Sequence, residues 1–203
     1  MATKDYTWLQ GAVASFVHRT DIAAKVGDFV TLAEDRLNMD VDNRLQESLV
    51  TLSTVAGFPT VALPDGATDV QSISIPGQGS VDYMGVGTFN ARYDTDTGTP
   101  RHYTVIGDDI YLGPTPDAAY DLKVVLRSTL PTLTDAPTGQ NWLIAAHPSL
   151  YLAATMCEVC MYTKDTAALQ VWEQKYQNAL SLVNGTDSNV ASSLAIRPDT
   201  TTP

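Results

Sequence analysis

The chain is short of cysteine, of positive charge and of long apolar runs, and each shortage excludes something. Its only cysteines, Cys157 and Cys160, lie three residues apart within an apolar stretch, so no disulfide framework holds the fold together. Twelve Lys and Arg stand against 23 Asp and Glu, a formal charge of −11, which opposes a cationic stripe tracking a phosphate backbone. The acidity has two readings: a solvated surface that aids solubility, or the lining of a passage through which a polyanion slides without sticking. No stretch of about 18 apolar residues occurs. The start lacks the basic-then-apolar pattern of a secretory signal. The expectation is a soluble protein made in the cytoplasm, without a membrane partner.

Chemical signatures are equally scarce. Cys157-Glu158-Val159-Cys160 has redox-motif spacing, but it sits in the middle of an apolar helical pattern, and a structural zinc site needs two further ligands. His18, His102 and His147 follow no metal-binding spacing, and no GxSxG elbow is present. Gly77-Gln78-Gly79 precedes no helix N-terminus and reads as a turn. Adjacent carboxylates at Glu34-Asp35 and Asp108-Asp109 do not face one another as a glycosidase pair would. Asn184-Gly185-Thr186 matches a glycosylation acceptor by chance in a chain with no secretion signal. No enzyme activity, metal or cofactor is expected.

What is present is a change of hydrophobic period. Tyr6, Leu9, Val13, Phe16 and Val17 recur at helical spacing behind Asp5 as a cap. Ile22, Val26, Phe29, Val30, Ala33 and Leu37 predict a second helix of nearly five turns starting at Thr20 or Asp21. Lys25, Asp28, Glu34, Asp35 and Arg36 fall mostly off that stripe and read either as a solvated face or as a subunit contact. From about Val50 to Leu126 the period is two, with turn residues at short intervals. Some seven short strands suggest an antiparallel sandwich or open barrel, and the glycine-rich segment 77–98 an exposed loop.

Helical spacing returns with Trp142, Leu143 and Ile144, then with an almost wholly apolar helix from Pro148. Asp165 caps a last helix striped by Leu169, Trp172, Tyr176 and Val183, which Asn184-Gly185 is expected to stop. The predicted fold is therefore α+β. A helical bundle body of two N-terminal and two to three C-terminal helices spans residues 1–45 and 138–185. An antiparallel β-rich insertion spans 46–137, and an extended, flexible C-terminal tail spans 186–203.

This layout resembles the head-to-tail adaptor family of tailed bacteriophages. The local likenesses are Trp8 to Leu37, Arg101 to Gly107, Asn141-Trp142-Leu143 leading to His147-Pro148-Ser149-Leu150-Tyr151-Leu152, and Trp172 to Tyr176. The segment 82–99 departs from the relatives in being longer and richer in glycine. The resemblance implies a structural subunit of the virion neck, made in the host cytoplasm, that joins the portal to a nozzle or tail-tube protein. It further implies a homo-oligomeric ring of twelve copies around a channel in which DNA is only a passing, non-specific occupant. In the tail, Val190, Leu194, Ile196 and Arg197 are expected to dock on the portal, the alternative being a frayed end with no role. The competing function is a β-rich tail or baseplate module that binds host-surface carbohydrate through Tyr83, Tyr93 and Tyr103.

Overall fold

The computed structural model describes residues 4–193 apart from 94 and 137. The chain divides into two compact units, Met1–Leu45 with Leu130–Pro203, and Gln46–Thr129. The architecture is the α+β one expected, helices at both ends of the sequence and strands between them.

In the first unit, α1 (Tyr6–Val17) begins where the Asp5 carboxylate accepts a bond from Trp8 N at 2.8 Å, and it ends at His18 in the left-handed conformation. The second helix is not continuous. A single turn, α2 (Thr20–Ala23), is followed by α3 (Val26–Asp40), and between them Lys25 N donates to Ile22 O, a tightened turn that buries both Ile22 and Val26. The Asn141 side chain caps α5 (Trp142–Ala146), and Pro148 opens α6 (Pro148–Thr163), its missing N–H costing nothing in a first turn. Nine of the sixteen α6 residues are buried, Cys157 and Cys160 among them, both as free thiols. Burial pushes the Cys157 thiol up to about 12, so it packs as a small apolar group and not as a nucleophile.

The last helix, α7 (Thr166–Ser193), is capped by Asp165, which accepts from Ala168 N at 3.0 Å. It does not stop at Asn184-Gly185 as expected. Asn184 is occupied elsewhere: its amide donates to Asp40 O and its oxygen accepts from Asp42 N, both at 3.1 Å, so it closes the C-terminal end of α3 and leaves α7 unbroken. Residues from Leu130 onward belong with the helices, because Leu130 and Leu133 are buried in the same core as Leu9, Leu37, Leu143 and Tyr151.

The second unit holds a seven-stranded sheet in the order β1-β9-β3-β4-β6-β7-β2. The strands are β1 (Glu47–Ser53), β2 (Thr60–Ala62), β3 (Ala67–Ile75), β4 (Gly79–Tyr83), β6 (His102–Ile106), β7 (Asp109–Gly113) and β9 (Asp121–Ser128). A separate pair joins β5 (Thr97–Gly98) to β8 (Thr115–Pro116). Alternation decides which faces are buried: Leu122, Val124 and Leu126 of β9 are fully enclosed while Lys123 is exposed. One expectation fails here. Segment 77–98 is not simply a loop, since it contains β4 and a short helix, α4 (Val86–Arg92), anchored by buried Phe89. That helix carries the chain from β4 to β6, the one pair of neighbours in the large sheet that runs parallel.

Candidate assembly interface

Of the five charged residues singled out on the second helix, the structure separates one from the rest. Glu34 is only 5% exposed. It lies four residues after Val30 and three before Leu37, so it falls on the apolar stripe itself, and the solvated-face reading fails there. One carboxylate oxygen accepts from Leu133 N and from the Tyr151 hydroxyl, each at 2.8 Å. Asn141 in turn donates to the Tyr151 oxygen at 3.1 Å and to Pro131 O at 2.8 Å. Burial holds the Glu34 carboxyl above its ordinary range, against the lowering effect of those two donors. This network fastens the segment returning from the β unit to α3 and α6. It is structural, and it removes Glu34 from any surface.

Lys25, Asp28 and Asp35 are exposed, and Arg36 is half-buried. Lys25 Nζ reaches the Tyr162 hydroxyl at 2.9 Å, tying the start of α3 to the end of α6. Arg36 forms a two-pronged contact with Glu173 of α7, at 2.6 and 2.7 Å, lies over the Tyr176 ring at 4.3 Å and has Asp40 at 3.8 Å. Burial would push the Glu173 carboxyl up, but the bonds from Gln177 and Arg36 outweigh it and leave it below its ordinary value. Glu158 of α6 stands 3.9 Å from Arg36 and has its carboxyl raised by burial.

These ion pairs border an open groove of about 1010 Å³ between α3, α6 and α7. Its apolar wall includes Leu32, Met39 and Met161, whose exposures of 50%, 80% and 48% are high for side chains of this type. Asp35, Asp40, Glu158 and Glu173 supply four carboxylates to its lining, against the single guanidinium of Arg36. Sequence reading named Asp35 and Arg36 but missed the groove, although the signal was there: Leu32, Arg36, Met39 and Asp40 share a second face of α3 at three-and-four spacing.

The remaining candidates do not converge. Val190 lies on α7, while Leu194, Ile196 and Arg197 lie outside the described residues. The three tyrosines of the carbohydrate reading form no exposed platform. Tyr103 is buried, Tyr93 is half-buried with its hydroxyl 2.5 Å from His102 Nδ1, and only Tyr83 presents its ring, edge-on to Tyr103. Among the described residues no group of three or more His, Cys, Asp or Glu is placed to hold a metal ion, and no helix is long and apolar enough to cross a membrane.

The fold defines a class of chain in which a helical body is interrupted in sequence by a β-rich unit. Within it, the family described as SU10 adaptor protein matches residues 4–198, and the chain belongs to that family. Membership gives it a structural role as a bacteriophage adaptor, a virion component that meets other head or tail proteins. None of the curated proteins compared with the chain matches it.

Proposed function

We propose that this adaptor forms a homo-oligomeric ring, of twelve copies by family likeness, that joins the portal to the tail and surrounds the DNA passage without catalysing a reaction. The observation that carries the reading is the groove of α3, α6 and α7. A wall of exposed Leu and Met beside an ordered Arg–carboxylate pair has the chemistry of a surface covered by protein, an apolar centre with a charged margin. Lys25, Asp28, Asp35 and Arg36 then belong to the subunit contact or its rim. The net charge of −11 supports both a channel that repels DNA phosphate and copies that repel one another until a portal gathers them.

The test is to mix the purified chain with the purified portal of the same phage and image the product by electron microscopy. Rings seated on the portal are expected, with self-association eased by raised salt as repulsion between copies is screened. A chain that stays monomeric beside the portal at every salt concentration would defeat the reading.

A further inference from the structure

We infer that the groove of α3, α6 and α7 is the seat of a C-terminal segment, Leu194-Ala195-Ile196-Arg197, donated by a second copy of the chain. Three observations meet there. The wall is apolar and open, offering Leu32, Met39 and Met161 to an apolar ligand. Its charge is predominantly negative, four carboxylates against one guanidinium already gripped by Glu173, so the fitting ligand carries a cation. The sequence after α7 offers this pattern: in an extended conformation Leu194 and Ile196 would fall on one side, and Arg197, ahead of Asp199, follows at once with a side chain long enough to reach a rim carboxylate.

Geometry decides which copy supplies it. Asn178, the groove residue nearest in sequence to the end of α7, lies about 22 Å from Ser193 along an unbroken helix rising 1.5 Å per residue. The four residues from Leu194 to Arg197 span at most about 14 Å when fully extended. A chain therefore cannot fill its own groove with these residues, and a neighbour can. The contact is heterologous, one copy's tail in the next copy's groove, and repeats of such a contact build a ring when the rotation closes. Closure rests on the ring reading above; the contact itself does not. The family resemblance pointed these residues to the portal, and the groove offers them a seat on a neighbouring copy.

The test uses the full-length chain and a fluorescent synthetic peptide of residues 190–203, read by anisotropy. Saturable binding is expected, weakened at least tenfold by Leu194→Asp with Ile196→Asp in the peptide, and equally by Met39→Asp in the protein. Arg197→Gln should weaken it several-fold. Met39 is so exposed that its replacement leaves the fold intact, and Leu32→Asp provides a second variant read in the same way. No saturable binding, affinity unchanged in both protein variants, or capture of the peptide by purified portal alone would overturn the inference. A full chain carrying Leu194→Asp and Ile196→Asp that still completes rings on the portal would sink it and leave the ring reading standing. Peptide binding without rings on the portal would do the reverse.

Discussion

Each unit holds a buried polar group that is treated in the opposite way from the other's, although the β unit also encloses Thr54, which donates to Ala118 O and accepts from Tyr120 N. The helical unit encloses a whole carboxylate, Glu34, and meets it with a backbone N–H and a tyrosine hydroxyl that is itself held by Asn141. The β unit encloses the hydroxyl of Thr104, fully buried, and gives it no hydrogen-bond partner among the described residues. A satisfied buried network fixes one arrangement of the elements around it, whereas an isolated hydroxyl only weakens the core that holds it. The difference matches what each unit has to join. The helical body is assembled from segments more than ninety residues apart and needs a specific latch, while strands are registered by their own ladders.

The largest expected effect tests the latch at its aromatic member. Tyr151 is completely buried among α1, α3 and α6 and carries the hydrogen bond to Glu34. Tyr151→Ala removes a full aromatic side chain and should destabilise the helical unit by about 3–5 kcal/mol. Denaturant unfolding followed by near-ultraviolet dichroism will measure it. Tyr151→Phe keeps the ring and separates the loss of the hydroxyl from the loss of volume. If the two variants are equally stable, burial of the ring contributes nothing and the latch is wrongly placed.

The next effect sharpens the contrast by charge. Glu34→Ala leaves Leu133 N and the Tyr151 hydroxyl without their acceptor, at a cost of about 2–4 kcal/mol. Glu34→Gln keeps an acceptor and removes the buried charge, so it should cost far less and change the pH dependence. The folded carboxyl holds its proton to higher pH than the unfolded one, whose ordinary value is 4.5. Between that value and the raised one the folded chain binds more protons, so the Glu34 contribution to stability falls as pH rises through the weakly acidic range and is restored as pH drops back. Subtracting the Glu34→Gln profile from the parent's isolates this slope. A difference that rises with pH would contradict the burial-driven shift.

Much of this was legible in the sequence, and the failures have physical causes. Hydrophobic period placed α1 and the start of α7, each of which buries one face, and a nearly continuous apolar run placed α6, which packs against α1, α3, α5 and α7. The break at Lys25 was invisible, since Ile22 and Val26 keep helical spacing whether the turn is tightened or not. The α4 crossover was hidden in a glycine-rich stretch with one large apolar anchor, Phe89. Asn184-Gly185 carries a helix-stop signal, yet the α3 end recruits the Asn184 side chain through contacts some 140 residues away in sequence. The groove escaped notice for a related reason. Its wall and its carboxylates come from three helices, and no single periodicity displays a surface that tertiary packing assembles.

The smallest effect bears on the β unit and runs in the opposite direction. Thr104 lies on β6 between Tyr103 and Val105, opposite Tyr111 in the hairpin with β7. Its hydroxyl surrendered water on folding and gained no acceptor among the described residues, a loss worth roughly 1–3 kcal/mol in general. Valine has nearly the same shape and branching, favours a strand equally and carries no polar atom to desolvate. Thr104→Val should therefore stabilise the β unit by about 0.5–1 kcal/mol, seen as a rise in the midpoint of its unfolding transition while the helical unit's signal stays where it was. A fall in that midpoint would mean the hydroxyl is satisfied, by an enclosed water or a shifted acceptor, and the two units would then bury their polar groups by the same rule.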